Sequence, residues 1–343
     1  MNEEVKMVAD SANPSDIITD ISVASGGGAL GIWSWRTAMG LHNSGYQFEM
    51  IGGSSTGCIV AFLYAKGFFE EAEKLYKLTY DEESRNIFEP GIAKVKKGKL
   101  EIAWIKAIAN VFRIKHIESL MTNNGLYDTF MILQKKKASF DIPMFFNTTS
   151  LITGEGVQHS SEDFIRKPTD LCAALTASTS MPGILPMWDY ASFKSMSDGG
   201  LVSPLPLGHM FARMDPNKPY RFWNIMCNPI DILPKEDLDN VAKVAGRAVN
   251  IMLNKILRET IGRTEDRNHA SKTIWPIAEE LDTLGLTEIA DKLRAALGYK
   301  YMPIHNIIYS GTRGVFEFTK ESYEEQILTA RNDVDKYLDS IKT

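Results

Sequence analysis

Residues 17–66 read IITDISVASGGGALGIWSWRTAMGLHNSGYQFEMIGGSSTGCIVAFLYAK, and the order of elements in this stretch decides the fold. IITDISVA (17–24) is β-branched and apolar with polar interruptions, the mark of a buried strand. The turn SGGGALG and a helix from Ile32 follow. YQFEMIG (46–52) reads as a second strand, and Ser55–Lys66 as a second helix stopped by Gly67. Strand, glycine turn, helix, strand, tight turn, helix is how a parallel sheet with covering helices is written. The expected fold class is therefore α/β, with a mostly parallel central sheet covered by helices on both faces.

Both turns carry chemistry. Gly53-Ser54-Ser55-Thr56-Gly57 fits G-x-S-x-G, with Ser55 between a predicted strand and a predicted helix. Such a turn forces its serine into a strained backbone conformation and lifts the hydroxyl out of the sheet. The helix beginning there also aims its N-terminal amides at negative charge near Ser55. The other turn, Gly26-Gly27-Gly28-Ala29-Leu30-Gly31, fits G-x-G-x-x-G, and Glu49 stands where a ribose-binding acid would belong. Gly26, Gly28 and Gly31 thus admit a dinucleotide-binding reading. The alternative is that the Gly26, Gly27 and Gly28 amides converge on a tetrahedral oxyanion, where one donor contributes about 3–4 kcal/mol to the transition state. A serine elbow on the adjacent turn favours acyl transfer.

A serine nucleophile needs a base. The six histidines, His42, His116, His159, His209, His269 and His305, lack motif context and read as structural or surface residues. Asp198-Gly199-Gly200 ends a loop after a short apolar segment, so its glycines can turn the chain while the carboxylate points inward. Burial raises an aspartate's pKa and strengthens it as a proton acceptor. An ordinary Asp-Gly turn is the competing reading.

Beyond residue 66, helices are expected at 69–85, 100–113, 168–180 (opening at Pro168), 235–262, 276–297 and 322–341. Strands are expected within 139–154 and at 221–228, 303–311 and 315–319. Residues 1–16 read as a polar leader, and 17–343 as one domain with a motif-bearing core at about 19–230 and a helical extension at about 231–343. The net charge of −5 argues against a nucleic-acid polymer as partner, and the sparse Cys58, Cys172 and Cys227 fit reduced thiols in a cytoplasmic protein. No secretory signal or transmembrane segment is expected.

Taken in order, the glycine loop, GSSTG and DGG resemble the patatin-like phospholipases. NTTSLITGEG (147–156) and ALTASTSMPGILPMW (174–188) extend the resemblance over about residues 19–207. The resemblance implies a patatin-like three-layer fold and a Ser-Asp dyad carried by Ser55 and Asp198. It places the oxyanion hole at Gly26, Gly27 and Gly28, with Gly31, Gly53, Gly57, Gly199 and Gly200 as supporting motif positions. It implies neither cofactor nor metal, and phospholipid, lysophospholipid or neutral lipid ester substrates. Three features depart from the family pattern: Leu30 stands where Arg or Lys is usual, GSSTG replaces GTSAG, and LVSPLPL follows DGG, with Ser203 where polar support belongs.

Residues 94–116 join a basic cluster to Leu100, Trp104, Ile108, Val111 and Phe112 at roughly helical spacing. Such a helix either lies in a bilayer interface, giving peripheral membrane contact, or packs on the core. Met181, Ile184, Leu185 and Met187 are candidates for an acyl pocket. A second functional reading is an effector lipase activated by a cyclic nucleotide or a partner, with its sensor in the C-terminal third.

Overall fold

The structure is a computed structural model that describes residues 18–81, 89–90, 93–96, 99–102, 119, 121–216, 218–227, 241–313 and 317–342. The expected leader lies outside them. The first half of the chain forms β1 (Thr19–Ala24), α1 (Gly31–Asn43), β2 (Phe48–Gly53), α2 (Thr56–Ala65) and α3 (Phe69–Asp81), as the sequence predicts. Short strands β3 (Glu89–Pro90), β4 (Ala93–Lys96), β5 (Lys99–Ile102) and β6 (Met121–Thr122) follow, then α4 (Asn124–Lys136) and β7 (Met144–Ser150). Next come β8 (Gly156–Ser160), α5 (Pro168–Ser178), β9 (Trp188–Tyr190), β10 (Phe193–Asp198), α6 (Leu207–Ala212) and β11 (Tyr220–Met226). The last elements are α7 (Val241–Thr283), α8 (Thr287–Leu297), β12 (Ile304–Ile308) and α9 (Lys320–Lys342).

The main sheet runs β12-β11-β1-β2-β7-β10-β9, with β8 also on β7. β12, β11, β1, β2 and β7 are mutually parallel, while β8 and β10 run antiparallel to β7, and β9 antiparallel to β10. Alternation along the buried strands sends side chains to two cores. Ile21, Val23, Phe145, Phe222 and Met226 face a layer with Met210, Leu257, Ile261 and Tyr299. Ala24, Ile51, Phe146, Trp223 and Ile225 face the larger layer built from α1, α2, α3, α4, α5 and α9. Helices therefore cover both faces, the expected class.

Three expectations are corrected. Residues 93–96 and 99–102 are paired antiparallel strands, with Lys96 opposite Lys99 and Val95 opposite Leu100, instead of the start of an amphipathic helix. The remaining residues of that segment, 103–116, lie outside the described residues. The break expected between 262 and 276 is absent: α7 runs on through Pro276, and the chain turns at Gly285, whose φ is 76°. An internal proline costs a helix one hydrogen bond; here the neighbouring Trp275 and Ala278 are buried, and Arg294 of α8 reaches over both. Residues 317–319 are not a strand. Among the described residues, no helix is long and apolar enough to cross a membrane.

Candidate active site

The sheet itself brings the two motif-bearing turns together. β8 pairs with β7 continuously from Phe145 to Thr149. β2 pairs with β7 at Met144–Phe146 and β10 at Thr148–Ser150, so both must use the other edge of β7. β2 runs with β7 and β10 against it, so their carboxyl ends approach head-on. Gly53 ends opposite Phe146, Asp198 ends opposite Thr148, and only Asn147 separates those two positions. β1 lies beside β2 with Ala24 opposite Gly53, which places the glycine loop at the same edge.

Ser55 is the residue before the first turn of α2, with φ 54° and ψ −130°. For a non-glycine residue this is a strained conformation, held by its surroundings. A side chain on Gly53 would begin 2.0 Å from the Gly57 carbonyl oxygen, and one on Gly57 would begin 2.0 Å from that of Ala24. The two glycines therefore let α2 start directly against the ends of β1 and β2. A side chain on Gly26 would begin 2.6 Å from Ser55 Cβ, so the glycine loop lies against the elbow.

Asp198 is buried, and its pKa is pushed up to about 6 by loss of hydration. The nearby Ser55 side chain and the hydrogen bond from the Gly200 N–H at 2.7 Å pull in the opposite direction without cancelling it. Its own N–H donates to the Ser180 carbonyl at 2.9 Å, which also accepts from Ser197 Oγ at 2.6 Å. Ser180 Oγ in turn accepts from Asn123, whose Oδ1 accepts from Trp188. The stretch 174–188 thus anchors the strand end that carries Asp198. Met181 and Ile184 there are partly buried, Leu185 is buried and Met187 is exposed.

Asn147 clamps the turn from the other side. Its Nδ2 donates to the Gly199 carbonyl at 3.3 Å and also to that of Ser203. A side chain on Gly199 would begin 2.3 Å from the Asn147 carbonyl oxygen. Polar support after DGG thus comes from the Ser203 main chain, while its hydroxyl bonds within its own loop to Leu205. Asn147 sits inside a quoted motif, but only the pairing of β10 with β7 reveals its contact.

The glycine loop departs in part from expectation. The Gly27 N–H donates to Thr56 Oγ1 at 3.1 Å, so this amide is already engaged. The Gly26 and Gly28 N–H groups have no acceptor among the described residues. Gly28 has φ 55°, and Gly31 packs against Thr56 Cγ2 and the Tyr76 ring. Leu30 is buried in the larger core, a position where a cationic side chain would lose its hydration. Glu49 is exposed at the beginning of β2, whereas the glycine loop follows the end of the parallel β1. The acid and the loop are at opposite edges of the sheet, so Glu49 does not stand where a ribose-binding acid of that loop would have to be.

The fold and site define an α/β protein with a strained serine elbow facing a buried carboxylate at the carboxyl edge of a largely parallel sheet. Residues 23–211, more than half of the chain, match the family model for patatin-like phospholipase, and the chain belongs to that family. The lysophospholipase NTE1 of Yarrowia lipolytica is 24% identical over 305 residues, covering 81% of this chain and 19% of that protein. The lysophospholipase nte1 of Emericella nidulans is 26% identical over 190 residues, covering 55% of this chain and 11% of that protein. The chain thus spans about a fifth or less of the length of these relatives. VipD from Legionella pneumophila superposes with a TM-score of 0.39 at 11% identity, covering 95% of this chain and 68% of that one.

Proposed function

We propose that this protein is a serine acyl hydrolase of the phospholipase A or lysophospholipase type, cleaving carboxylic esters of lipids through an acyl-Ser55 intermediate. The observation that carries the reading is the placement of Ser55, strained at the elbow, at the meeting strand ends that also present the buried Asp198. Ser55 Oγ attacks the ester carbonyl while its proton passes to Asp198. The carbonyl oxygen gains the negative charge and is met by the Gly26 and Gly28 N–H groups, with the start of α2 adding its dipole. As the tetrahedral adduct collapses, the C–O bond to the alcohol breaks and Asp198 returns the proton to the departing oxygen. Water then attacks the acyl-Ser55 carbonyl with Asp198 again as base, releasing the fatty acid and restoring the hydroxyl.

A carboxylate serves here because burial lifts its proton affinity into the range of working pH. Thr56 and Asn147 hold the two loops without entering the chemistry.

A fluorophosphonate probe tests the assignment. The natural chain should be labelled, Ser55→Ala should not, and Asp198→Asn should react slowly while remaining folded by circular dichroism. Equal labelling of Ser55→Ala would place the nucleophile elsewhere. Incubating the labelling-competent protein with phospholipid, lysophospholipid and triacylglycerol then ranks the lipid classes by fatty acid release.

A further inference from the structure

Gln326 on α9 lies far outside residues 23–211, yet it reaches the first turn of α1, directly after the glycine loop. The first turn of a helix leaves N–H groups without intrahelical acceptors. One of these on α1, that of Trp33, donates to Gln326 Oε1 at 3.4 Å across 293 residues of chain. Gln326 Nε2 donates to Ser322 Oγ at 2.9 Å and to the Tyr80 hydroxyl oxygen at 3.4 Å. With both amide hydrogens engaged, the side chain has one orientation. Gln326 is fully buried and Tyr80 nearly so.

Tyr80 receives a hydrogen bond from Gln326, so its own proton is directed elsewhere, and it donates to the Ala29 carbonyl. Burial raises the phenol far above its ordinary range, so it stays a donor at any working pH. Ala29 C=O and Leu30 N–H belong to one planar peptide. The Leu30 N–H donates to the Gly27 carbonyl at 3.0 Å. Gly27 C=O and Gly28 N–H form the next planar unit in the chain of contacts, and in a trans peptide they point in opposite directions. Fixing the Gly27 oxygen therefore aims the Gly28 N–H. One turn before Tyr80 on α3, the Tyr76 ring lies 3.3 Å from where a Gly31 side chain would begin, closing the back of the loop.

We propose that Gln326 and Tyr80 are positioning residues that aim the Gly28 N–H at the developing oxyanion, making α9 part of the machinery of the site. This rests on the acyl-hydrolase reading, since it gives that N–H its task. Neither residue touches the substrate.

The test measures hydrolysis of a p-nitrophenyl ester by the full chain and by Tyr80→Phe, Gln326→Glu and the double variant. Tyr80→Phe removes the donor to Ala29, and Gln326→Glu replaces the amide donor by an acceptor that draws the Tyr80 proton away from it. Each single change should lower kcat by about 10- to 100-fold with KM within about twofold, because a misaimed oxyanion donor is felt in the transition state. The double variant should lose no more than the worse single one, as two residues of one relay do. Ser310→Ala, which removes a 2.6 Å bond from Ser310 Oγ to Asp333 on the same helix and leaves Asp333 holding the Trp33 indole, should keep kcat. Full kcat in folded Tyr80→Phe, multiplying losses in the double variant, or an equal loss in Ser310→Ala would each overturn the proposal. If Gln326→Glu does not fold, Tyr80→Phe alone decides. Absence of Ser55-dependent turnover in the natural chain overturns the hydrolase reading and this proposal with it, whereas Ser55-dependent turnover with unimpaired Tyr80→Phe overturns this proposal alone.

Discussion

At the scale of single residues, the proposed mechanism makes the protonation of Asp198 the control on what the site can do. The carboxyl must be ionised to accept the Ser55 proton, and its pKa stands near 6. Ester turnover measured as kcat/KM should therefore be lost as pH falls through about 6 and level off above it. A limb near the ordinary aspartate value of 3.8 would show that the working carboxylate is hydrated, and a different group. The proposed pair, Ser55 and Asp198, could be nominated from the sequence because each is flagged by its own chain neighbours, GSSTG and DGG. Asn147, Thr56 and Gln326 could not, since each acts on residues 29 to 293 positions away. Nothing local marks a polar side chain as serving a distant turn. The engagement of the Gly27 amide escaped for the same reason: composition identifies a glycine loop, and only coordinates show which N–H groups are spent.

At the scale of elements, the elbow depends on how closely α2 meets the strand ends. Gly57→Ala would drive a methyl into the Ala24 carbonyl, and backbone on both sides leaves neither partner free to yield. The expected outcome is a loss of at least about 3 kcal/mol in urea unfolding, as overpacked cores show, together with loss of fluorophosphonate labelling. Gly262→Ala is the contrast, because it lies within α7 with nothing within 4 Å of the added carbon. It should stabilise by about 0.5–1 kcal/mol and leave labelling unchanged. A neutral Gly57→Ala would mean that α2 can slide away from β1, and the tight elbow would lose its basis. The alternating strands and glycine turns of the first fifty residues were readable, because period and punctuation agreed. The paired strands at 93–96 and 99–102 were misread because a window extended to residue 116 hides the period-two run on either side of Lys97-Gly98 in the sequence. The continuous α7 was misread because local propensity at Pro276 yields to packing on α8.

For the whole molecule, sequence order implied a parallel sheet but not that β10 would return antiparallel along the edge of β7 already used by β2. That return is a pairing between distant segments, and it leaves Asp198 buried. Its consequence is a stability cost with a definite sign. The Asp198 pKa rises from 3.8 to about 6 on folding, so the folded state holds the proton more tightly, and stability is lost as pH rises across that window. His159 has the opposite effect. Buried with Thr148 and Tyr190 at 3.2 and 2.8 Å, it falls from 6.5 to about 4, so its contribution is lost as pH falls from 6.5 toward 4. Burial lowers His42 and His305 as well, with the same sign as His159. Acidification should therefore weaken the natural chain, with Asp198 blunting the slope. Asp198→Asn removes the blunting: the variant should be more stable at pH 7 by up to about 3 kcal/mol, with the advantage fading toward pH 4. Urea unfolding at pH 4, 5, 6 and 7 checks this. A constant difference between the two proteins, or none at pH 7, would mean that the carboxylate is not held against its hydration, and that proton affinity for Ser55 has some other source.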